Sequence, residues 1–273
     1  MDFLKRKSID GTVKYGFRTP DNNLIEAVFI PQKRTNVICL SSQVGCALKC
    51  KFCVTGYAGF TRNLSKEEII EQYLAIITDQ QLKELPNIVF MGMGEPLLNF
   101  EHVKEAVEYL HDALHLSKRK ITLSTVGIVD KMSDTAKLGV QFALSLHAPS
   151  DALRRKIMPI AEKCSLKEIF EACKEIVFNK NKPFMIQYVM IDGINDKEED
   201  AEQLIALLRQ HPCCYVINLI PYNEHSFIDF KRSSDERLNH FKQQLIKAGF
   251  KTFIRETRGQ DIAAACGMLR QRK

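Results

Sequence analysis

Short hydrophobic runs alternate with amphipathic segments along most of the chain. From Val37 onward, seven runs rich in β-branched and aromatic residues have the length and composition of strands. They span residues 37–40, 88–91, 121–124, 140–146, 184–190, 215–220 and 253–255. The segments between them carry apolar residues at helical spacing, as at Ile69, Tyr73 and Ile77. The pattern therefore predicts strands and helices in regular alternation.

Three of the predicted helices have a recognisable start. Ser65, Ser165 and Ser233 are each followed three residues later by a glutamate, which is the spacing of a capping box. Repeated β-then-α order is typical of a mostly parallel sheet with helices outside it. In such folds the functional loops lie at the carboxyl ends of the strands, so we expect the chemistry there.

The first thirty residues follow a different pattern. Two β-like runs, 12–17 and 24–30, flank the turn-favouring segment 19–23, which predicts a hairpin. No long linker, repeat or low-complexity run divides the remaining chain. We therefore expect an α/β protein with an N-terminal β extension at residues 1–31 and one larger unit at residues 32–273.

Composition excludes several classes of protein. The 273 residues are 45% hydrophobic and 26% charged, as in ordinary globular proteins and unlike disordered, collagen-like or coiled-coil chains. The balance of 39 basic and 33 acidic residues gives a net charge of +6, which permits an RNA partner without indicating one. The basic runs 118–120 and 154–156 could contact phosphates, although isolated triplets of this kind usually lie on solvated surface.

Nine cysteines stand beside no tryptophan. The N-terminus has no apolar signal region and no stretch reaches 18 apolar residues, so we expect a cytoplasmic protein without membrane contact. Because thiols stay reduced in the cytosol, a disulfide framework is not expected. The cysteines are then metal ligands, reactive thiols or core residues.

Cys46, Cys50 and Cys53 are closely spaced directly after the first predicted core strand, in the run CALKCKFC. A closed zinc site needs a fourth ligand, and the nearest histidine, His102, is about 50 residues away. Three thiolates suit a four-iron cluster whose fourth iron has no protein ligand. A structural metal site or plain core cysteines are the alternatives.

Several motifs lie at predicted strand ends. They are CLSSQVGCALKCKFC (39–53), MGMGEPLLN (91–99), LST (123–125), SLHAP (145–149), IPYN (220–223) and TRGQDIAAACG (257–267). The first, with Phe52 before the third cysteine, resembles the cluster loop of radical S-adenosylmethionine (radical SAM) enzymes. Together the motifs resemble the RlmN/Cfr family of radical SAM RNA adenosine methyltransferases over nearly the whole chain. They are closer to the C2-methylating RlmN type than to the C8 type.

The resemblance implies a fold and two cofactors. The fold is a partial (β/α) barrel of the radical SAM type with an N-terminal β-hairpin extension, and residues 32–273 are its catalytic core. A 4Fe-4S cluster is expected on Cys46, Cys50 and Cys53, with SAM bound beside it. The SAM-binding positions implied are Gly94, Glu95, Ser124, Ser145, Leu146, His147 and Asn223. Gly94 allows close backbone approach, and a Glu95 carboxylate can take the SAM ammonium group.

The resemblance also implies a mechanism that meets a chemical difficulty. Adenine C2 is electron-poor and needs attack by a carbon radical. In the family, Cys266 is first methylated by one SAM, and a second SAM gives the 5′-deoxyadenosyl radical that activates this methyl group. The carbon adds to C2, Glu26 is the expected proton acceptor, and Cys39 attacks Cys266 to release product as a disulfide forms. Cys266 follows Ala263–Ala265, which we expect to be helical.

The partners implied are RNA, with 23S rRNA and tRNA as substrates, and an electron donor such as flavodoxin or ferredoxin. A monomer is expected. The family usually carries a further N-terminal helical domain that the sequence does not match, so we expect a reduced grip on RNA. Two alternatives stay open: a radical SAM enzyme with the same core and another substrate, and a non-catalytic metal-binding or redox-sensing RNA-binding protein.

Overall fold

Ten strands lie side by side in one sheet in the computed structural model, which describes residues 1–270. In spatial order they are β1 (Phe3–Lys7), β2 (Val13–Arg18), β3 (Leu24–Ile30), β4 (Val37–Cys39), β7 (Asn87–Phe90), β8 (Ile121–Thr125), β9 (Gln141–Ser145), β10 (Phe184–Met190), β11 (Tyr215–Pro221) and β12 (Lys251–Ile254). A separate hairpin consists of β5 (Gln43–Gly45) and β6 (Phe60–Asn63).

The sheet changes direction at β4. Strands β1 to β4 pair antiparallel, and every pair from β4 to β12 is parallel. Because β1 and β12 are edge strands that do not meet, the parallel part is an open, partial barrel. This confirms the predicted fold class, including the N-terminal β extension. The extension continues into the sheet, since β3 pairs with β4 from Val28 opposite Cys39 to Ile30 opposite Val37. The division at residue 31 stays a prediction.

Helices connect the parallel strands. They are α1 (Val54–Tyr57), α2 (Lys66–Asp79), α3 (Phe100–Asp112), α4 (Val129–Leu138), α5 (Asp151–Ile157), α6 (Leu166–Cys173), α7 (Glu198–Gln210) and α8 (Asp235–Lys247). The capping boxes at Ser65 and Ser165 are present. The third is wrong: α8 is capped by Ser234, whose hydroxyl accepts from the Arg237 amide, while Ser233 is buried one residue earlier.

All seven predicted core strands are present, and central strands such as β10 and β11 are almost continuously apolar because both of their faces are covered. The pattern missed β1, β5 and β6, which are short, polar or exposed. The helix expected before Cys266 is also wrong. A 3₁₀ turn at Gln260–Ile262 is followed by Ala263 with a φ of 53°, in the left-handed region that ends a helix. Within the described residues, no helix has the length and apolar character needed to cross a membrane.

Candidate active site

The three clustered cysteines lie on the loop between β5 and α1. Cys46 and Cys50 are buried, and Cys53 is partly exposed. The loop is held from several sides by backbone hydrogen bonds. The Cys46 amide donates to the Gly59 carbonyl at 2.7 Å, and the amide of Val54, directly after Cys53, donates to the Gly267 carbonyl at 2.7 Å. The thiols are therefore fixed on a rigid loop that also contacts the C-terminal segment.

The three thiols interact electrostatically. Burial raises the pKa of Cys46 to about 12, and Cys53 adds to the rise. Burial also raises the pKa of Cys50 well above its usual value, with further contributions from Cys53 and Cys46. Within residues 1–270, however, no three His, Cys, Asp or Glu side chains are placed to hold a single metal ion. Three neighbouring thiolates are the donor set of a four-iron cluster whose fourth iron has no protein ligand.

The loop after β7 contains Gly94 and Glu95. Gly94 has a φ of +100°, and a Cβ there would lie 2.5 Å from the Gln43 Cβ, so only glycine fits. Glu95 is buried, and its carboxylate oxygens accept from the amides of Leu97 at 3.1 Å and Val126 at 3.0 Å. Burial raises the pKa of this carboxyl to about 7. In the predicted contact, the SAM ammonium group would bind the same Glu95 oxygens. These oxygens already accept hydrogen bonds that join the ends of β7 and β8.

Two neighbouring strands place hydroxyl groups side by side. Ser124 on β8 and Ser145 on β9 have their Oγ atoms 3.4 Å apart. Leu146 is fully buried, and His147 follows with a φ of 60°. The Val189 amide donates to His147 Nδ1 at 3.0 Å. The structure thus brings the strand-end positions of β8 and β9 together.

Cys266 lies where three parts of the chain meet. The Asn223 side chain, after β11, donates to the Cys266 carbonyl at 3.0 Å. Cys266 is exposed, and desolvation by the surrounding protein raises the pKa of its thiol. The Cys266 charge adds to the effect of burial in raising the pKa of Cys39, and Cys53 likewise raises that of Cys266. Cys266 is therefore close to both the buried Cys39 and the cluster loop, and all nine cysteines are free.

Strand register places the remaining predicted residue on the same face as Cys39. Cys39 is opposite Val28, and Val28 is opposite Lys14 on β2. Glu26 is two residues from Val28, so its side chain points the same way. The Glu26 carboxylate is 3.0 Å from the Lys14 ammonium and accepts from the Arg270 amide at 3.0 Å. This buried ion pair was not predicted from the sequence.

The chain is similar in sequence to known proteins. The Radical SAM superfamily model matches residues 40–208. The dual-specificity RNA methyltransferase RlmN of Wigglesworthia glossinidia brevipalpis is 46% identical over 275 residues, covering 96% of this chain and 71% of that protein. RlmN of Desulfotalea psychrophila is 43% identical over 283 residues, covering 98% and 77%. The chain belongs to the RlmN family.

A solved structure agrees with this membership. The crystal structure of a radical SAM methyltransferase from Sphaerobacter thermophilus matches with a TM-score of 0.93 at 38% identity. The match covers 98% of this chain and 80% of that chain. The RlmN family lies within the radical SAM superfamily, whose cofactors are a 4Fe-4S cluster and SAM. The donor set of the loop, three neighbouring thiols without a fourth ligand, fits such a cluster with one iron left for SAM.

Arg154 was predicted from the sequence to lie on the surface, within a basic run that could contact phosphates. Arg154 is fully buried in this RlmN-family protein, so that interpretation is wrong. Its guanidinium donates to the carbonyls of Leu146 at 3.2 Å, Cys164 at 3.3 Å and Val126 at 2.5 Å. Arg154 thereby joins the ends of β8 and β9, and its charge lowers the pKa of Cys50 against the effect of burial.

His147 makes acid stability testable. Burial lowers its pKa to about 3, with Arg154 as a second cause, whereas an unfolded histidine titrates near 6.5. The unfolded chain therefore binds an extra proton between these values, and stability falls as pH drops below 6.5. In His147→Asn, which tolerates a positive φ, this loss should vanish. Relative to wild type, the variant should gain about 3 kcal/mol between pH 7 and pH 4, measured by urea unfolding. Parallel stability curves would contradict this.

Proposed function

We propose that this protein methylates C2 of adenine in RNA and that Cys266 carries the transferred carbon. Membership of the RlmN family makes it a radical SAM RNA methyltransferase. Its RlmN relatives are named dual-specificity enzymes, which supports two RNA substrates, and we propose 23S rRNA and tRNA. The observation that carries the proposal is the position of Cys266, open to solvent and close to both Cys39 and Cys53.

The cofactor-binding residues follow from the site. Cys46, Cys50 and Cys53 would hold the cluster. SAM would lie against the strand-end positions, which are Gly94, Glu95, Ser124, Ser145, Leu146, His147 and Asn223. When bound, these cofactors supply a methyl group and a carbon radical. Because adenine C2 must leave its stack to reach Cys266, we expect the target base to be extruded from the RNA.

Three residues of this chain then handle the covalent chemistry. The Cys266 sulfur carries a one-carbon unit that becomes bonded to C2, so protein and RNA are joined through S–CH2–C2. Glu26 removes the C2 proton at its carboxylate, and the unpaired electron left by the radical addition would return to the bound cluster, so that a closed-shell adduct remains. The Cys39 sulfur attacks the Cys266 sulfur and forms a disulfide, and the electron pair of the broken S–C bond remains with the carbon, which is protonated to a methyl group.

Burial of Cys39 suits a late step. Desolvation is the largest cause that raises the pKa of this thiol, and the Cys266 charge adds to it. Cys39 therefore rests as a neutral thiol, which is a poor nucleophile. Before the RNA carbon is bonded to the Cys266 sulfur, no group is present to take the electron pair, so a disulfide between the two sulfurs cannot form without an added oxidant.

Replacing Cys39 with alanine tests the proposal. Without the attacking thiol, RNA should stay covalently attached to Cys266, so a slow-migrating adduct that nuclease digestion removes should accumulate on denaturing gels. Cys39→Ala/Cys266→Ala should abolish it, and Cys213→Ala, a matched change at an exposed cysteine, should form none. Sequencing the trapped RNA identifies the substrate. Methylation that persists in Cys39→Ala without any adduct would overturn the release step.

The proposal also covers the oligomeric state, the location and the electron donor. We expect a monomer in the cytoplasm that receives electrons from flavodoxin or ferredoxin. Light scattering at micromolar concentration reports the mass directly, for comparison with the 31.2 kDa of one chain.

A further inference from the structure

The cluster loop has an outward face that the reaction does not use. Exposure alternates along the loop: buried Cys46, Leu48 and Cys50 are interleaved with exposed Ala47, Lys49 and Lys51. The two lysines that flank Cys50 therefore face solvent, while the Cys50 thiol is buried.

Helix α5 extends this outward face. The Lys51 amide donates to the Ile157 carbonyl at 2.9 Å, so the last turn of α5 packs beside the loop. Arg155 and Lys156 on that turn are exposed. We call Lys49, Lys51, Arg155 and Lys156 the cluster-loop patch. Among the described residues, its one recorded ion pair is a loose contact of 3.8 Å between Arg155 and Glu162.

An exposed aromatic residue borders the patch. Tyr57, at the end of α1, is 55% exposed, and its hydroxyl donates to the Lys51 carbonyl at 3.1 Å. The Tyr57 ring meets that of the exposed Phe227 edge to face, with centroids 5.6 Å apart. Exposed aromatic residues and arginine are both enriched at protein–protein interfaces.

We propose that the cluster-loop patch docks an acidic one-electron carrier protein, which reduces the cluster through the loop. The inference rests on the proposed function, because it assumes a cluster on Cys46, Cys50 and Cys53. One electron leaves the carrier and is accepted by the cluster, and no proton or leaving group moves.

The position of the patch favours a carrier over RNA as its occupant. The reacting adenine must contact Cys266 and Glu26, whereas the exposed lysines of the patch flank the buried Cys50 thiol. A base cannot pass through the loop, whereas an electron needs only a short distance through protein. The cationic surface complements an acidic carrier and speeds its encounter.

The test compares two ways of reducing the same holoenzyme, without RNA. Reduced flavodoxin is the protein donor and dithionite is the small donor, with the cluster followed by stopped-flow absorbance. Two charge reversals, Lys49→Glu/Lys51→Glu and Arg155→Glu/Lys156→Glu, should each slow reduction by flavodoxin at least tenfold at low salt. Reduction by dithionite, iron content and the midpoint potential should be unchanged in the second variant, which leaves the residues beside Cys50 intact. High salt should make the rates of reduction by flavodoxin similar in the wild type and the variants, because salt screens the charges.

The matched control is Lys33→Glu/Lys83→Glu. Both lysines are exposed, and they precede β4 and β7, at the opposite end of the strands from the site. Equal slowing in this control, or an unchanged flavodoxin rate in both patch variants, would overturn the proposal. So would weaker RNA binding with unchanged reduction by flavodoxin, which would assign the patch to RNA. Because no RNA is present in the reduction assay, failure of the methylation proposal leaves this result readable.

Discussion

Replacing Lys14 with methionine is expected to halt the reaction after RNA has become attached to Cys266. Lys14 is 3.0 Å from the Glu26 carboxylate and also donates to the Ala263 carbonyl at 3.1 Å, three residues before Cys266. Methionine keeps most of the length of the side chain and removes its charge. Glu26 would then be a buried carboxylate that has lost its ammonium partner, which is costly and leaves the carboxylate without the contact that holds it in place. A carboxylate that is no longer held in position is a poorer acceptor for the C2 proton.

Product release should therefore slow by about 10²–10⁴-fold, the usual contribution of a general base. The covalent adduct should accumulate even though Cys39 is intact, which a denaturing gel with nuclease digestion will show. Lys14→Arg keeps the charge and should release product. Lys14→Met/Cys266→Ala should give no adduct.

Two results would contradict this assignment. Release at the wild-type rate in Lys14→Met would show that Glu26 does not depend on the ammonium group. A folded variant that cleaves SAM yet forms no adduct would assign Lys14 to positioning the Cys266 loop instead of to proton removal.

Lys14 shows what the alternation of apolar and polar residues in a strand cannot predict. In β2, buried Val13, Tyr15 and Phe17 alternate with Lys14 and Gly16, which suggests one core face and one solvent face. In the structure the second face is covered by residues 263–270, from the far end of the chain. Local alternation carries no information about a segment some 250 residues away.

The parallel strands could be predicted because the local sequence is enough to reveal them. Strands such as β10 and β11 are buried along their whole length, so each is a nearly continuous apolar run that is visible without tertiary context. Strands β5 and β6 have only seven residues in all, and several of these are polar. The cluster loop lies in the connection between the two strands.

Some residues of the candidate site could likewise be recognised from a local pattern, and others could not. Cys46, Cys50 and Cys53 are close in sequence, and their spacing already indicates a metal site. Cys39 and Cys266 could be paired only through resemblance to a family, because no spacing rule links residues so far apart. The structure places their thiols near each other, while their roles in the reaction stay predictions.

A second large effect is expected at Arg154, whose replacement by methionine should destabilise the protein by about 3–5 kcal/mol. The guanidinium donates to three carbonyls, those of Leu146, Cys164 and Val126, and methionine would leave all three without this donor. Lysine cannot reproduce the planar fork of donors, so Arg154→Lys should recover only part of the loss. Urea unfolding of the apoprotein measures these differences without any cofactor.

The neighbouring arginine supplies the control for this prediction. Arg155 is exposed, and its pair with Glu162 at 3.8 Å is of a kind worth at most about 1 kcal/mol. Arg155→Met should therefore change the free energy of unfolding by less than about 1 kcal/mol. Equal losses at the two positions, or a loss below about 1 kcal/mol in Arg154→Met, would show that the buried guanidinium does not hold the ends of β8 and β9 together. A large loss at Arg154 alone would show that this buried guanidinium holds the ends of β8 and β9 together.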